Sequence, residues 1–442
     1  MRKHLFSTLF VVLSLAMILV FRAFLPKYSG MLLFFFIFLL FDGYLWLSVR
    51  SRLKQLGRTW YLPAAFLYWL PLSLMICLAV SMLFVPFIDL NLPLRTYLQS
   101  FLLMMFLLKV FPILMLLVAD TVRLVRYIPQ RHVSGKGVLL SSIPRTGALL
   151  VTGWLTGFLL FAVMLAGMVF GQFDFRVNRQ DITLDELPPS FNGFKIVQFS
   201  DVHLGSWGMK SKLLDAMKEI NSLQPDVIFF TGDMFNYCTA DGNGFEDILK
   251  TLHAPYGVYA IMGNHDYGDY ISWPSPAAKE KNFSDLVLFY KTLGWKLLRN
   301  SNDIIKREQD SIAVIGVENW GASRRFQRFG DITTAQQGTE GVGVQLLLSH
   351  DPSHWDSIVS KKYRNIDVTF SGHTHGGQVG IDCCGIHWSP VKWVSRFWCG
   401  LYQNPVSAQP QYLYVNQGLG NIGYSGRIGI RPEITLITLT RK

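Results

Sequence analysis

The first 171 residues alternate between long apolar runs and short polar loops. The apolar runs lie at about 5–24, 31–49, 64–87, 97–119 and 147–171. Each is close to or longer than the roughly 20 residues that an α-helix needs to cross the hydrocarbon core of a bilayer. The first run ends in FRAFLPKYSG, without the small-residue site of a cleaved signal peptide. The pattern therefore predicts five membrane-spanning helices, of which the first is retained.

The pattern changes after residue 171. Short apolar runs rich in β-branched and aromatic residues alternate with helical stretches at about 209–222, 244–252 and 283–294. Runs of this kind are typical of strands that are buried on both faces in α/β proteins. The predicted strands are KIVQFS (195–200), DVIFF (226–230), VYAIM (258–262), SIAVIGV (311–317), VQLLLS (344–349), DVTF (367–370) and YLYVN (412–416). The chain is thus predicted to divide into a transmembrane region at 1–171 and an α/β domain at 172–442.

Charge is distributed unevenly between these two parts. Residues 1–171 hold 15 Lys and Arg against 3 Asp and Glu, whereas residues 172–442 hold 26 against 27. The excess of basic residues flanks the apolar runs, which favours membrane topology over nucleic-acid binding, and we expect no nucleic-acid partner. The loops at 50–58 and 120–146 carry four and five Lys or Arg, so the positive-inside rule assigns both to the cytoplasm. With five spans in the inner or plasma membrane, the α/β domain is predicted to be extracytoplasmic.

Two charged residues, Asp42 and Lys109, fall inside predicted spans. They lie about 12 and 13 positions from the outer ends of spans two and four, which at about 1.5 Å per residue is nearly the same depth. Charges inside a bilayer seek partners. We therefore expect a buried ion pair, with either a structural role or a role in a polar pathway.

Polar residues follow five of the predicted strands, at the point where each strand ends. They occur in SDVHLG (200–205), TGDMFN (231–236), MGNHDYG (262–268), LSHDP (348–352) and SGHTHGG (371–377). The carboxyl ends of strands in such sheets meet at the edge where ligands bind. Asp, His and Asn without a thiol suit divalent ions such as Mn, Zn or Fe. The glycines allow sharp turns, so that the two histidines of GHTH can serve two adjacent metals.

This series of motifs resembles that of the calcineurin-like metallophosphoesterases: D-x-H, GD-x-x-x-N, GNHD, a separate His and a terminal GHTH. The resemblance covers about 195–380 and extends through GLY (400–402) and RIGIRPEITLITL near the end. It is strongest to the membrane-associated bacterial branch, which includes UDP-2,3-diacylglucosamine pyrophosphatase-like phosphoesterases. The fold that it implies is a two-sheet sandwich flanked by helices, to which the transmembrane region is an addition.

The resemblance also implies a role for each matching residue. Seven would bind two divalent metal ions: Asp201, His203 and His375 the first, Asp233 both, and Asn264, His350 and His373 the second. His265 would be the unligated acid that protonates the leaving oxygen. Two cations held by a bridging carboxylate, as the resemblance implies, would acidify a shared water for in-line displacement of the leaving group. The expected reaction is hydrolysis of a phosphoester or phosphoanhydride by metal-activated hydroxide.

Two segments mix cationic and aromatic side chains, NWGASRRFQRFGD (319–331) and HWSPVKWVSRFWCG (387–400). Such mixtures suit the headgroup region of a bilayer or an amphiphilic phosphate ester, and they also occur in loops that pack on a domain. The predicted partners are the lipid bilayer and a phosphorylated lipid or small phosphoester.

Four functions are compatible with these features. The first is a membrane-embedded phosphohydrolase of a lipid or lipid-linked substrate. The second is a UDP-diacylglucosamine-type pyrophosphatase, which needs a cytoplasmic active site and conflicts with the loop charges. The third is a non-catalytic metal-binding sensor, which would not need His265. The fourth is a phosphatase of soluble substrates with the helices as an anchor.

Two smaller features stay open. A disulfide such as Cys384–Cys399 is compatible with an extracytoplasmic domain, and free buried thiols are the alternative. His354 follows LSHDP and belongs either to the surroundings of the metals or to a helix surface.

Overall fold

The computed structural model describes residue 19 and residues 29–55, 57–81, 84–85, 89–134, 143–404 and 410–442. The chain divides into two compact units, one formed by Met1–Phe84 with Leu102–Ala162 and the other by Val85–Phe101 with Val163–Lys442. The second unit therefore contains two short stretches of the apolar region besides the α/β domain. The limits 1–171 and 172–442 stay a prediction.

The apolar region forms long helices. They are α1 (Ser29–Gln55), α2 (Arg58–Ser81), α3 (Leu92–Ser134) and α4 (Gly147–Val169). Three segments of the described residues are long and apolar enough to cross a membrane: Arg58–Leu78, Leu94–Gln130 and Gly147–Phe173. The predicted span at 31–49 lies within α1, which is not one of these three segments. Apart from Leu19, the predicted span at 5–24 lies outside the described residues, so the count of five spans stays a prediction.

The expected ion pair between Asp42 and Lys109 is present in the first unit. Lys109 Nζ lies 2.9 Å from Asp42 Oδ2 and donates a hydrogen bond of 2.8 Å to the carbonyl of Tyr68. The Tyr68 hydroxyl donates to the Asp42 carboxylate, and all three side chains are buried. Each charge is thus compensated inside the helix cluster.

The α/β domain contains two mixed six-stranded sheets. The first has the order β1-β14-β2-β3-β4-β5, with β1 (Arg176–Leu184), β2 (Phe194–Phe199), β3 (Val227–Phe230), β4 (Val258–Ala260), β5 (Lys296–Leu297) and β14 (Glu433–Arg441). The second has the order β12-β13-β9-β8-β7-β6, with β6 (Ser301–Arg307), β7 (Asp310–Gly316), β8 (Val344–Leu348), β9 (Val368–Ser371), β12 (Gly400–Gln403) and β13 (Tyr412–Val415). Strands β10 (Ile381–Cys383) and β11 (Ile386–Trp388) form a separate hairpin.

The two sheets pack face to face, and helices cover their outer faces. Alternate residues of each central strand point to opposite sides: Phe229 lies in the core between the sheets, and Phe230 packs under the helices. The main helices on the first sheet are α5 (Lys210–Ser222), α6 (Glu246–Leu249) and α7 (Pro276–Leu293), and α8 (Ile332–Ala335) lies on the second. The predicted sandwich flanked by helices is confirmed.

Candidate metal centre

All eight side chains predicted for the site lie in loops that directly follow five strands. Asp201 and His203 follow β2, Asp233 follows β3, Asn264 and His265 follow β4, His350 follows β8, and His373 and His375 follow β9. Strands β2, β3 and β4 are parallel neighbours, as are β8 and β9. Their carboxyl ends therefore meet at one edge of the sandwich, and the loops converge there.

Asp201, His203 and His375 form one cluster of potential ligand atoms, all within 4.8 Å of one another. The Nε2 atoms of His203 and His375 are 3.1 Å apart, and His375 Nε2 is 3.3 Å from Asp201 Oδ1. All three residues are buried.

Asp233, His350 and His373 form a second cluster of the same kind. Asp233 Oδ2 lies 3.2 Å from His350 Nε2 and 3.6 Å from His203 Nε2, so this carboxylate stands between the two clusters. His373 Nδ1 is 3.3 Å from His350 Nε2. The arrangement has the donor types and the shared carboxylate that a binuclear centre requires.

The backbone of this site is unusual. Asp201, His203, Asp233, His373 and His375 all have positive φ, between 46° and 72°. Residues other than glycine rarely adopt this region, and such strain concentrates at functional sites.

Glycines allow the loops to approach closely. A Cβ added to Gly372 would lie 2.0 Å from Ser200 Oγ and 2.3 Å from Asp201 Oδ2, and one on Gly263 would lie 2.2 Å from Asp233 Oδ1. Any larger residue at these two positions would displace the Asp201 or Asp233 carboxylate.

The orientation of the side chains fits a pair of cations. His203 Nδ1 and His350 Nδ1 face the backbone carbonyls of Phe235 and Thr231, at 3.1 and 2.7 Å, so each can donate there and turn an unprotonated Nε2 toward the cluster. Asn264 Oδ1 is buried and finds no hydrogen-bond partner among the described residues, as expected for an oxygen that a cation would satisfy.

The pKa shifts follow from burial and from the Asp233 charge. Burial lowers the pKa of His203 to about 3. Burial also disfavours the charged form of His350, but the adjacent Asp233 carboxylate outweighs it and raises the pKa to about 10. His350 and the neighbouring histidines in turn hold the pKa of Asp233 well below its usual value, against the effect of burial. A cation placed here would replace the proton on His350.

His265 is held beside the clusters. Its Nδ1 lies 2.7 Å from the carbonyl of Asn236, its ring stacks on Tyr270 at 4.0 Å, and its backbone N–H donates to Asp233 Oδ1 at 2.9 Å. The orienting partner of this histidine is a main-chain carbonyl, which leaves no mark in the sequence.

Sequence reasoning missed several buried charged residues, of which Asp266 and Arg427 contact the loops of the two clusters. The carboxylate of Asp266 accepts hydrogen bonds from the backbone N–H groups of Gly263, Asp233, Met234 and Phe235. Burial and the nearby Asp233 raise the pKa of Asp266 to about 7. Its position in GNHD was the available signal.

Arg427 is the second of these residues. It is fully buried, and burial lowers its pKa to about 10. Its guanidinium donates to the carbonyls of His375, Gln417, Gly418 and Gly420. It therefore fixes the main chain behind the first cluster.

The remaining predicted features lie around the site. His354 is buried, not on a helix surface: its Nδ1 lies 2.9 Å from Ser349 Oγ and its ring stacks on Trp320. All five cysteines are free thiols, so the Cys384–Cys399 pair is not formed. Cys399 instead lies 2.8 Å from His387 Nε2.

A cavity of about 460 Å³ opens above the clusters. It is lined by His265, both histidines of GHTH and Asp233, and by Tyr237, Tyr270, Arg325, Phe326 and Ile422. Its volume is typical of a small-molecule site, and its walls combine a cation with apolar surface.

Comparison with known families agrees with this geometry. Residues 194–377 match the family described as calcineurin-like phosphoesterase. Residues 27–172 match the family described as a probable calcineurin-like phosphoesterase, transmembrane domain. The chain belongs to the calcineurin-like phosphoesterases. It is therefore an integral membrane protein of this family, and its two Asp/His clusters are consistent with the binuclear site typical of the family.

Several members of the family are similar to the chain. One is a transmembrane protein with metallophosphoesterase domain from Danio rerio, 30% identical over 265 residues, with 59% of this chain and 56% of that protein covered. The chain thus spans about half the length of this relative. A second is the uncharacterized metallophosphoesterase YkuE of Bacillus subtilis, 29% identical, with 57% and 81% covered.

A third relative has a named activity. UDP-2,3-diacylglucosamine pyrophosphatase LpxG of Chlamydia trachomatis is 29% identical over 311 residues, with 59% of this chain and 88% of that protein covered. Among solved structures, a 5'-nucleotidase precursor from Thermus thermophilus aligns with a TM-score of 0.36 and 14% identity, covering 55% of this chain and 54% of that one.

Proposed function

We propose that the chain hydrolyses a phosphoester or phosphoanhydride with two divalent metal ions. The observation that carries the proposal is the pair of Asp/His clusters joined by Asp233 beneath the cavity. The proposed ligands are Asp201, His203 and His375 for one ion, His350, His373 and Asn264 for the other, and Asp233 for both. Imidazole, carboxylate and amide donors favour Mn, Zn or Fe.

Such ions, when bound, acidify water and neutralise phosphoryl oxygens. The protein supplies the positions and a proton. Because Nδ1 of His265 faces the Asn236 carbonyl, the proton for the leaving oxygen would be held at Nε2, and the stacked Tyr270 limits rotation of the ring. The polar groups of the site are mostly buried, which strengthens their interaction with a phosphate.

The substrate class that we propose is an amphiphilic phosphate, such as a lipid or lipid-linked phosphate. The cavity wall supports it, because Arg325 can pair with a phosphate while Phe326, Tyr237 and Ile422 can contact an apolar group. The relationship to LpxG points to the same class. Cleavage of a UDP-lipid is the alternative, and it would require a cytoplasmic active site.

A surface patch supports access from the bilayer. Trp393 and Val394 are 76% and 86% exposed, and Ile386 and Trp388 lie in the neighbouring hairpin. Exposed apolar patches of this kind mark binding surfaces, and tryptophan favours the headgroup level of a membrane. The hairpin is close to the end of α4, because Val379 forms a β-bridge with Ile428, whose side chain lies against Gly167. We propose that this patch contacts lipid.

The proposed location of the catalytic domain is extracytoplasmic, as the loop charges favour. Cys383 and Cys384 are exposed, so chemical labelling of these thiols can test on which side of the membrane the domain lies. A membrane-impermeant maleimide should label them in intact cells, with a Cys383→Ser/Cys384→Ser variant as the control. Labelling that requires permeabilised cells would reverse the orientation and favour the pyrophosphatase alternative.

The decisive experiment is metal-dependent turnover by the purified full-length protein. The panel comprises phospholipids, lipid-linked phosphates, UDP-linked lipids and an aryl phosphate, and His265→Ala is the control variant. Turnover of one lipid that is reduced in the variant would support the proposal. Hydrolysis of the aryl phosphate alone would indicate a soluble substrate, with the helices acting only as an anchor. No turnover in the presence of two bound metals would favour a metal-binding sensor.

A further inference from the structure

The first turns of α3 form hydrogen bonds and an ion pair with loops that surround the candidate site. Arg95 forms an ion pair with Asp241, and Thr96 Oγ1 donates to the carbonyl of Gly205 at 2.9 Å. The backbone N–H of Ser425 donates to Ser100 Oγ at 2.8 Å. All of these side chains are buried. A helix whose residues Leu94–Gln130 can cross a membrane thus begins inside the catalytic unit.

Asp241 connects this helix end to the loop after β3. Its Oδ2 accepts hydrogen bonds from the backbone N–H groups of Tyr237, at 2.8 Å, and Cys238, at 3.4 Å. The guanidinium of Arg95 also lies over the Tyr237 ring, 5.4 Å from its centroid. Arg95 therefore holds the loop both through the Asp241 carboxylate and through the Tyr237 ring.

The residue before Tyr237 is Asn236, whose carbonyl orients His265. A continuous series of contacts thus runs from Arg95 through Asp241 and the Tyr237 amide to the carbonyl that sets the imidazole plane. Space in the series is tight, because a Cβ added to Gly205 would lie 2.6 Å from Asn236 Oδ1 and 3.0 Å from Asp241 Cγ. A displacement of Asp241 would therefore be passed on to the neighbouring groups, including the Asn236 carbonyl.

We propose that Arg95 is a positioning residue for His265, so that the start of a membrane helix helps to align the acid of the reaction. The inference rests on the proposed function. The Arg95 and Asp241 side chains are only 4% and 2% exposed, and removal of one member of such a buried pair leaves the other charge uncompensated. The loop would then shift, and an error of about 1 Å in a catalytic group can reduce the rate about 100-fold.

In this view the membrane helices do more than anchor the catalytic domain. A fragment that begins at residue 172 would retain every proposed metal ligand and His265 but lack Arg95, Thr96 and Ser100. The membrane region would then contribute to the chemical step as well as to localisation.

The test compares Arg95→Met, Arg95→Lys and His265→Ala in the full-length protein. The control is Arg176→Met, because Arg176 forms a more exposed pair with Asp382, at 2.6 Å, in the same unit. Each variant is assayed with an alkyl phosphate, whose leaving group needs a proton, and with 4-nitrophenyl phosphate, whose leaving group needs little. A displaced His265 lowers kcat for the alkyl phosphate more than kcat for 4-nitrophenyl phosphate. General damage to the fold lowers both values equally.

We expect Arg95→Met to lower kcat for the alkyl phosphate at least about tenfold, with a smaller loss for 4-nitrophenyl phosphate and little change in KM. Arg95→Lys should recover part of the loss, and Arg176→Met should resemble the wild type. Adding Arg95→Met to His265→Ala should give no further loss, because both changes remove the same contribution. Equal losses for the two substrates, or fully additive losses, would overturn the inference.

A second readout does not depend on turnover. Hydrogen–deuterium exchange of the full-length protein should show faster exchange at 236–242 in Arg95→Met, with strands β2 and β3 unchanged. Unchanged exchange at 236–242 would refute the role of Arg95 even if no substrate were found. A wild type that hydrolyses nothing on the panel would instead refute the proposed function.

Discussion

Replacement of Arg427 by lysine should weaken one of the two proposed metal sites and spare the other. Arg427 Nη1 donates to the carbonyl of His375 at 3.2 Å, and Nη2 donates to the carbonyls of Gln417, Gly418 and Gly420 at 2.8 to 3.0 Å. Lysine keeps the charge but has one nitrogen in place of the two that serve these groups. It can serve the three carbonyls near Nη2 or the His375 carbonyl, but not both.

The expected loss is therefore one charge-assisted hydrogen bond, about 1.5–3 kcal/mol. We expect the lysine ammonium to lie near the three clustered carbonyls, because it can donate to more groups there. The His375 carbonyl is then left without a donor. His375 belongs to the first cluster, and Gly418 packs against Asp201 of the same cluster, where an added Cβ would lie 2.8 Å from Asp201 Cβ. If the lost free energy appears fully in metal binding, the affinity of the first site falls about 10- to 100-fold. The residues of the second cluster have no hydrogen bond to Arg427 in the described part of the chain.

The assay is metal content and calorimetric metal binding on the full-length protein in detergent, with Arg328→Lys as the control. Arg328 also donates to two loop carbonyls, those of Gly321 and Ala322. We expect Arg427→Lys to retain one tightly bound metal and to bind the second weakly, while Arg328→Lys retains both. Two tightly bound metals in Arg427→Lys, or equal weakening of both sites, would refute the reasoning.

Three further predictions concern the helix ion pair, a glycine of the metal site and a buried histidine. Lys109→Met should destabilise the protein by about 3–5 kcal/mol, because it leaves the Asp42 carboxylate buried and unpaired, and Asp42→Asn/Lys109→Met should recover most of the loss in thermal unfolding. Gly372→Ala should abolish stable metal binding, because its Cβ would meet atoms at 2.0 and 2.3 Å, whereas Gly343→Ala, with its nearest contact at 3.6 Å, should retain both metals. Burial lowers the pKa of His354 to about 4, so its contribution to stability is complete above about pH 6.5 and falls by about 3 kcal/mol toward pH 4. His354→Gln should flatten this part of the pH profile in denaturant titrations, and an unchanged profile would contradict the assignment.

The central strands could be predicted because they are buried on both faces. All seven predicted runs form strands, from β2 to β13. Several missed strands are more exposed or very short: β6 has only one buried residue in SNDIIKR, and β5 has two residues. The exception is β14, which is nine residues long and mostly buried. Such segments are strands because a neighbour pairs with them, which a pattern of apolar positions does not reveal.

Helix boundaries were less predictable for a similar reason. Helix α7 begins at Pro276, seven residues before the predicted start, where Ser275 accepts a hydrogen bond from the Ala278 N–H. The first turns hold Pro, Ala and charged residues in place of large apolar ones, so the apolar periodicity begins only at Phe283. The capping Ser-Pro pair was the better signal.

The proposed ligands could be identified from the sequence because each follows a strand and matches a motif. Arg427 could not, because its partners are backbone carbonyls of distant loops. Asp266 lies in the GNHD motif, but its contacts with the loop after β3 appear only in the folded chain. Asp241 and Arg95 were also missed, because they pair with each other across 146 positions of the chain. Side chains that bind a shared ion form a recognisable series, whereas side chains that hold the main chain depend on the folded geometry.

The position of β14 has a consequence for biosynthesis. This strand follows all other strands in the chain, yet it lies between β1 and β2 and pairs with both along their length. The first sheet therefore cannot close until residues 433–441 have left the ribosome, by which time the apolar helices have already emerged. Until then Ile437 and Leu439, which complete the core between the sheets, are missing from it. The nascent catalytic domain thus keeps an open first sheet until its last strand is synthesised. During this period a chaperone can bind the exposed sheet.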